Sequence, residues 1–275
     1  MTDSTLMSSA WSHYAARAVA TRPELAARVT ALAAAPVTRA QIDARLDELT
    51  GADGLAPAAP LTEDVLKKAL RQLRTEVFCA VMERDLAGRA DGAEVTGTMT
   101  DLAEATIQRA LAVLSADLEA LYGEPRGPNG ERLTLGVVGM GKLGGRELNV
   151  SSDIDLIFLY EEDGETAGGQ RSGIATQDFF TRLGKRLIAA LAEVTADGYV
   201  FRVDMRLRPN GDSGPLVCSV GMLEEYFYVQ GREWERYAWI KGRLVSDGES
   251  EAAQQAPRAE PLEPVGRGRF AHDDL

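Results

Sequence analysis

The sequence predicts an α+β protein, with an all-helical N-terminal region followed by a small mixed sheet that has helices packed on it. Three observations predict this. Apolar residues recur at helical spacing up to about residue 122. After Gly130 the period shifts to short apolar runs and two-residue alternation. Beyond that point strand-like and helix-like segments interleave up to about residue 245. At 275 residues and 45% hydrophobic composition, the chain can bury a sizeable core.

The elements follow in order. From Ser4 to Leu49 the chain is Ala-rich and helical, with breaks at Pro23 and Pro36. Gly51–Pro60 is rich in Pro, Gly and Ala and reads as a loop or linker. Thr62 offers an N-cap, and Glu63 and Asp64 fall in the first turn, where the helix dipole favours them. Leu66, Leu70, Leu73, Val77 and Val81 then mark a helix to about Leu86. Ile107, Leu111, Leu114, Leu118 and Leu121 mark a second long helix that stops near Gly123 and Pro125. Two such helices predict an antiparallel hairpin. Leu133–Met140 and Asp153–Tyr160 read as strands around the Gly-rich turn 141–149, and Glu161–Ser172 as an acidic loop. Phe180, Leu183, Leu187, Leu191 and Val194 define a further helix. Tyr199–Leu207 alternates as a strand, Pro209–Gly214 is a turn, and Leu216–Ser219 is a short strand. Met222–Val229 and Glu233–Leu244 read as helices, with Trp234, Tyr237 and Ile240 packing inward. The organisation is thus a helical region over 1–122, a core over 131–245, and a disordered or aberrant tail over 246–275, where apolar spacing is lost.

Charge and composition exclude several classes. The net charge of -12 disfavours binding to nucleic acid or an anionic membrane. No apolar run reaches the ~20 residues needed to span a bilayer, and no signal peptide is visible, so a cytoplasmic protein is expected. Cys79 and Cys218 are too few and too far apart to make a disulfide framework. His13 and His272 are the only histidines, which disfavours triad chemistry and histidine-based metal sites.

The chemistry centres on Ser151-Ser152-Asp153-Ile154-Asp155-Leu156. Alternation in a strand puts Asp153 and Asp155 on one side, and Ile154, Leu156 and Phe158 on the other. Two such carboxylates repel by about 4 kcal/mol at contact distance and an effective dielectric near 20. A hard divalent cation, Mg²⁺ or Mn²⁺, turns that repulsion into affinity. Alone, an Asp-x-Asp pair is more often a solvated strand end. Here a Gly-rich turn precedes it, and Asp204 follows on another strand face shared with Arg202, Arg206 and Arg208. Such a face is either a salt-bridge ladder or a metal ligand beside phosphate-binding guanidiniums. Beside Asp153 and Asp155 the second reading prevails.

Two decoys are set aside. Gly139–Gly144 matches the dinucleotide fingerprint, but the following strand carries Asp153 and Asp155 where a Rossmann strand would be apolar. As a P-loop the segment fails at Leu143, where Ser or Thr must hold magnesium. Gly211–Val217 resembles a serine-protease nucleophile loop but has no suitable histidine base, and reads as a tight turn.

The stretches GMGKLGGRELNVSSDIDLIFLY, RVDMRLRPNGDSGPLV and GREWERYAWIKGR resemble the bifunctional glutamine-synthetase adenylyltransferase/adenylyl-removing family over roughly Val65 to Val245. Glu147-Leu148-Asn149 and the Trp-Glu-Arg-Tyr-Ala run resemble its N-terminal, adenylyl-removing copy, here in truncated form. The resemblance implies a nucleotidyltransferase (polymerase-beta-like) fold. It implies that Asp153, Asp155 and Asp204 bind Mg²⁺ (Mn²⁺ possible) and are catalytic. Gly144 and Gly145 would lie against the AMP phosphate, with Lys142, Ser152, Arg206 and Arg208 as further phosphate-binding positions. The implied partners are glutamine synthetase, phosphate and ADP or ATP. The implied reaction is phosphorolytic removal of AMP from a tyrosine, regulating nitrogen assimilation. The alternatives are AMP transfer from ATP, or an inactive fragment that only binds glutamine synthetase.

Overall fold

The computed structural model describes residues 6–53, 56–57 and 61–246. Apart from Ser246, the predicted tail lies outside the described residues, as does much of the 51–60 linker. Four helices open the chain: α1 (Met7–Trp11), α2 (His13–Thr21), α3 (Pro23–Leu32) and α4 (Arg39–Thr50). Pro23 starts a helix rather than merely ending one, because its missing N–H costs nothing at the first helical position. Thr38 and Gln41 form a capping box on α4, and Gly51, at φ 62°, closes it. The next residues pair as two short antiparallel strands, β1 (Ala52–Asp53) and β2 (Ala56–Pro57).

The helical hairpin is α5 (Glu63–Leu86) with α6 (Gly92–Tyr122). The Thr62 hydroxyl accepts from the Val65 N–H at 3.4 Å, as the cap signal predicts. Asp91 caps α6 through the Glu94 N–H at 2.8 Å. Gly123, at φ 91°, lets the chain leave α6 directly into β3 (Gly123–Arg126).

The sheet that carries the site has β5 (Ile154–Tyr160) at its centre. On one side β4 (Gly136–Gly139) runs antiparallel to it, with β9 (Arg243–Leu244) antiparallel beyond. On the other side two strands share its length, both parallel. β7 (Val203–Asp204) pairs with its first residues, and β8 (Val217–Ser219) with its last. Three helices complete the region: α8 (Thr176–Ala192), α9 (Val220–Val229) and α10 (Glu233–Trp239). The single turn α7 (Gly141–Gly144) follows β4.

Alternation along β5 divides the sheet. Ile154, Leu156, Phe158 and Tyr160 join one buried cluster that runs from Ala33 through α5, α6 and α8 to Val245. One apolar core therefore unites the helical region with the sheet. The opposite face is thinly covered: Val138, Met140 and Ile157 pack with Leu207, Ala238 and Trp239. Asp155 belongs to this second face. A third cluster seats α1–α3 on Cys79 of α5.

Buried Arg71 of α5 ties the hairpin to the segment after α8. It donates to the carbonyls of Gly198, Lys67 and Ala190 at 2.9 Å each, and to that of Glu193. The region that reads as an acidic loop contains a strand, β6 (Glu165–Gly168), antiparallel to β3. The predicted strand over Tyr199–Leu207 is only Val203–Asp204, because the chain turns at Arg206. The predicted helix over Glu233–Leu244 stops at Trp239 and returns as β9. Val194 lies beyond α8 and is exposed. Trp234, Tyr237 and Ile240 are exposed as well, so they do not pack inward.

Candidate active site

Asp155 and Asp204 are register partners on the parallel strands β5 and β7, which puts both carboxylates on one face at adjacent positions. Asp153 lies just before β5 on the same side of the chain. The Asp155 carboxyl is pushed up from its ordinary value by burial, then by the charges of Asp204 and Asp153. The cations of Arg206 and Lys142 oppose that shift. The Asp204 carboxyl is held down, first by hydrogen bonds from Arg206.

Arginines occupy two of the three acids. The Arg206 side chain forks onto Asp204, with Nε to Oδ2 at 2.8 Å, while its backbone N–H donates to Oδ1 at 2.8 Å. Arg202 Nε donates to Asp153 Oδ1 at 2.5 Å, and its Nη2 donates to the Ser151 carbonyl at 2.9 Å. Among the described residues Asp155 has no such partner, and it feels the charges of Asp204 and Asp153 directly. Among the described residues, no three or more His, Cys, Asp or Glu side chains are gathered closely enough to hold a metal as they stand. The donor chemistry nevertheless fits one. An in-register pair of hard oxygen ligands, one of them unpartnered and crowded by negative charge, suits a divalent cation such as Mg²⁺.

The glycine turn lies against this face. Gly141, at φ 53°, is the glycine nearest the acids: a Cβ there would sit 3.2 Å from Asp155 Oδ2. Gly144 is needed for a different reason. A Cβ on it would lie 1.8 Å from the Lys241 carbonyl oxygen and 2.4 Å from that of Gly139. The N–H groups of Gly144 and Gly145 are spent inside the turn, on the carbonyls of Met140 and Gly141 at 3.1 and 3.0 Å. Lys142 Nζ donates to Ser152 Oγ at 3.1 Å, and that hydroxyl donates to Asn149 Oδ1.

The structure therefore brings Asp155, Asp204, Asp153, Lys142, Ser152 and Arg206 into one neighbourhood. Arg208 is close enough for its charge to help hold the Asp204 carboxyl down, but its hydrogen bonds go elsewhere. Nη1 donates to the Met205 carbonyl at 2.7 Å, and Nε is buried without a hydrogen-bond partner. Sequence reasoning missed the role of Gly141, although its place at the start of the Gly-rich turn was a usable signal. It also placed Arg202 beside Asp204, whereas its ion pair is with Asp153. Of the cations that follow α9, Arg236 donates to the Phe227 carbonyl and Lys241 pairs with Glu147.

Helices on a small mixed sheet, with acids gathered where its central strand begins, define an α+β fold of the nucleotidyltransferase kind. The family model for glutamate-ammonia ligase adenylyltransferase matches residues 5–259, and the chain belongs to that family. The match takes in the whole helical region and extends past Val245, further in both directions than the motifs alone. Its relatives are named bifunctional glutamine synthetase adenylyltransferase/adenylyl-removing enzymes. The one from Burkholderia mallei is 76% identical over 256 residues, covering 93% of this chain and 27% of the relative. Those from Ralstonia nicotianae and Bordetella pertussis are 60% and 48% identical, each over 86% of this chain, and over 24% and 25% of the relative. The chain thus spans about a quarter of the length of the relatives it matches. Among the described residues, no helix is long and apolar enough to cross a membrane.

Proposed function

We propose that this chain removes AMP from an adenylylated tyrosine of glutamine synthetase by phosphorolysis. The observation that carries the reading is the register pairing of Asp155 with Asp204, beside a glycine turn, in a chain whose relatives bear adenylyl-removing names. An oxygen of inorganic phosphate attacks the phosphorus of the AMP group. The bond from phosphorus to the tyrosine oxygen breaks, and that oxygen leaves with the electron pair and takes up, by way of water, the proton that the attacking hydrogen phosphate gives up. The products are ADP and free tyrosine on the protein substrate. Phosphate is already ionised at neutral pH, so the step needs no side-chain base.

Asp153, Asp155 and Asp204 would hold Mg²⁺ or Mn²⁺, which when bound offsets charge on the phosphoryl oxygens and on the leaving oxygen. Asp155 is the anchor of that set, because among the described residues no cation hydrogen-bonds to it. Gly141 lets the turn approach the carboxylates without a side chain in the way. Lys142 and Arg206 bring positive charge to the same face, where they orient a phosphoryl group. Ser152, held by Lys142 and Asn149, fixes the entry to β5.

The names of the relatives also carry adenylyl transfer, so transfer of AMP from ATP to glutamine synthetase, with release of pyrophosphate, is the second reading. Product analysis separates the two. With adenylylated glutamine synthetase, Mg²⁺ and phosphate, the proposal expects ADP. With unmodified glutamine synthetase and ATP, it expects no pyrophosphate. Pyrophosphate without ADP would replace the first reading by the second. Neither product from a folded chain would leave binding alone.

A further inference from the structure

Glu104 lies in the middle of α6, among the buried residues of that helix, and is only 4% exposed. Its carboxylate receives Arg243 Nη2 and, at 3.2 Å, Arg146 Nη1, while Arg39 Nη1 stands 3.8 Å away. Arg39 and Arg146 have a second acid each, Asp43 and Asp101. For Arg243, Glu104 is the one ion-pair partner among the described residues.

Both arginines reach the glycine turn. Arg243 Nε donates to the Gly144 carbonyl at 3.1 Å, and its Nη2 donates to that of Leu143 at 3.2 Å. Arg146 follows the turn in a left-handed conformation, φ 56°, which a residue with a side chain adopts only when its surroundings hold it there. Asp101 and Glu104, three residues apart on one face of α6, are what hold it. The same face adds Thr100, whose hydroxyl accepts from the Leu148 N–H at 3.4 Å, and Gln108, which donates to the Val245 carbonyl at 2.9 Å. A polar ladder along one face of α6 therefore grips the 143–148 segment and the strand that follows α10. It touches none of the three aspartates.

We propose that Glu104 is a positioning residue. Through Arg243 and Arg146 it sets the far end of the glycine turn, so that Gly141 at the near end stays in register with Asp155. The helical region thereby helps to build the phosphoryl-binding side of the site. The catalytic part of this inference rests on the reaction proposed above; the positioning part does not.

Four amides report the turn directly. The N–H groups of Gly144, Gly145, Arg146 and Glu147 bond to carbonyls within it, at 3.1, 3.0, 3.2 and 2.7 Å. Hydrogen exchange is measured on the full chain and on Glu104→Gln, which removes the charge and keeps the shape. Arg243→Lys, which removes the planar fork, and Glu104→Asp, which keeps the charge, complete the set. The expected result is about tenfold faster exchange at those four amides in Glu104→Gln and Arg243→Lys, with α5 and α8 unchanged and partial recovery in Glu104→Asp. In a parent that forms ADP, kcat for phosphorolysis falls in step while KM for the protein substrate holds. Exchange that rises uniformly across α5, α6 and α8, or does not rise at the turn, overturns the proposal. So does a loosened turn with kcat intact. A parent that forms no ADP refutes the proposed reaction instead, and the exchange data still decide whether Glu104 holds the turn.

Discussion

Replacing Asp155 by Asn tests the electrostatics of the site without any substrate. Asn keeps the shape of the side chain and removes its charge. Neighbouring strands lie about 4.8 Å apart, so the carboxylates of register partners such as Asp155 and Asp204 come within roughly 5 Å. Two unit charges at that separation and an effective dielectric near 20 repel by about 3 kcal/mol. Arg206 neutralises much of Asp204, Arg202 much of Asp153, and solvent screens a half-buried site, which leaves a net penalty of about 1 kcal/mol. A raised carboxyl means that the folded chain holds this proton more tightly than the unfolded chain does. Stability is then lost as pH rises from the ordinary carboxylate range through the raised value, and the loss is complete at neutral pH. In a chelator-containing buffer at pH 7, Asp155→Asn should raise Tm by about 2–4 °C, an advantage that fades below about pH 4. With Mg²⁺ the order should change: the parent gains and the variant does not. Calorimetry with and without Mg²⁺ reads both effects. A variant no more stable than the parent without metal, or an equal Mg²⁺ shift in both, would refute the reasoning.

Three further outcomes follow from the packing. Gly144→Ala forces a methyl group into two backbone carbonyls and should cost about 1–3 kcal/mol, seen as a Tm lower by about 2–10 °C; an unchanged Tm would mean that the turn relaxes freely. Arg71→Met leaves several carbonyls between α5 and the segment after α8 without their donor. It should lower the urea midpoint by an amount equivalent to about 3 kcal/mol at constant m, and a midpoint equal to that of the parent would show the arginine to be dispensable. Thr62→Ala removes the cap of α5 and should cost about 1 kcal/mol by the same assay, with no loss contradicting the capping role.

Much of this architecture was legible in the sequence because local chemistry decides it. The Thr62 cap, the acids of the first turn and a leucine or valine every third or fourth residue specify α5 with little need of tertiary context. Asp153 and Asp155 read as sharing one side because strand alternation leaves no other choice, and the burial of Ile154, Leu156 and Phe158 on the opposite face follows. Elements set by distant partners were less legible. Strand β6, in an acidic Gly-rich stretch, exists because β3 offers it an edge 40 residues earlier in the chain. The alternation over Tyr199–Leu207 looked like a full strand, but the fork of Arg206 onto Asp204 marks where the chain leaves the sheet. Gly242 breaks the helical pattern after α10 and frees Arg243 to pair with β4. The triad of aspartates was visible from motif spacing, whereas the arginines that cover Asp153 and Asp204, and the buried Glu104 behind the turn, required the fold.

The most direct test of the central claim is ADP release. Adenylylated glutamine synthetase is incubated with phosphate and Mg²⁺, and with either the chain or its Asp153→Asn/Asp155→Asn double variant. The account predicts ADP and deadenylylated substrate from the parent, and neither from a variant that is folded by calorimetry. ADP formed equally by both would contradict it, since the paired aspartates would then not be where the reaction occurs.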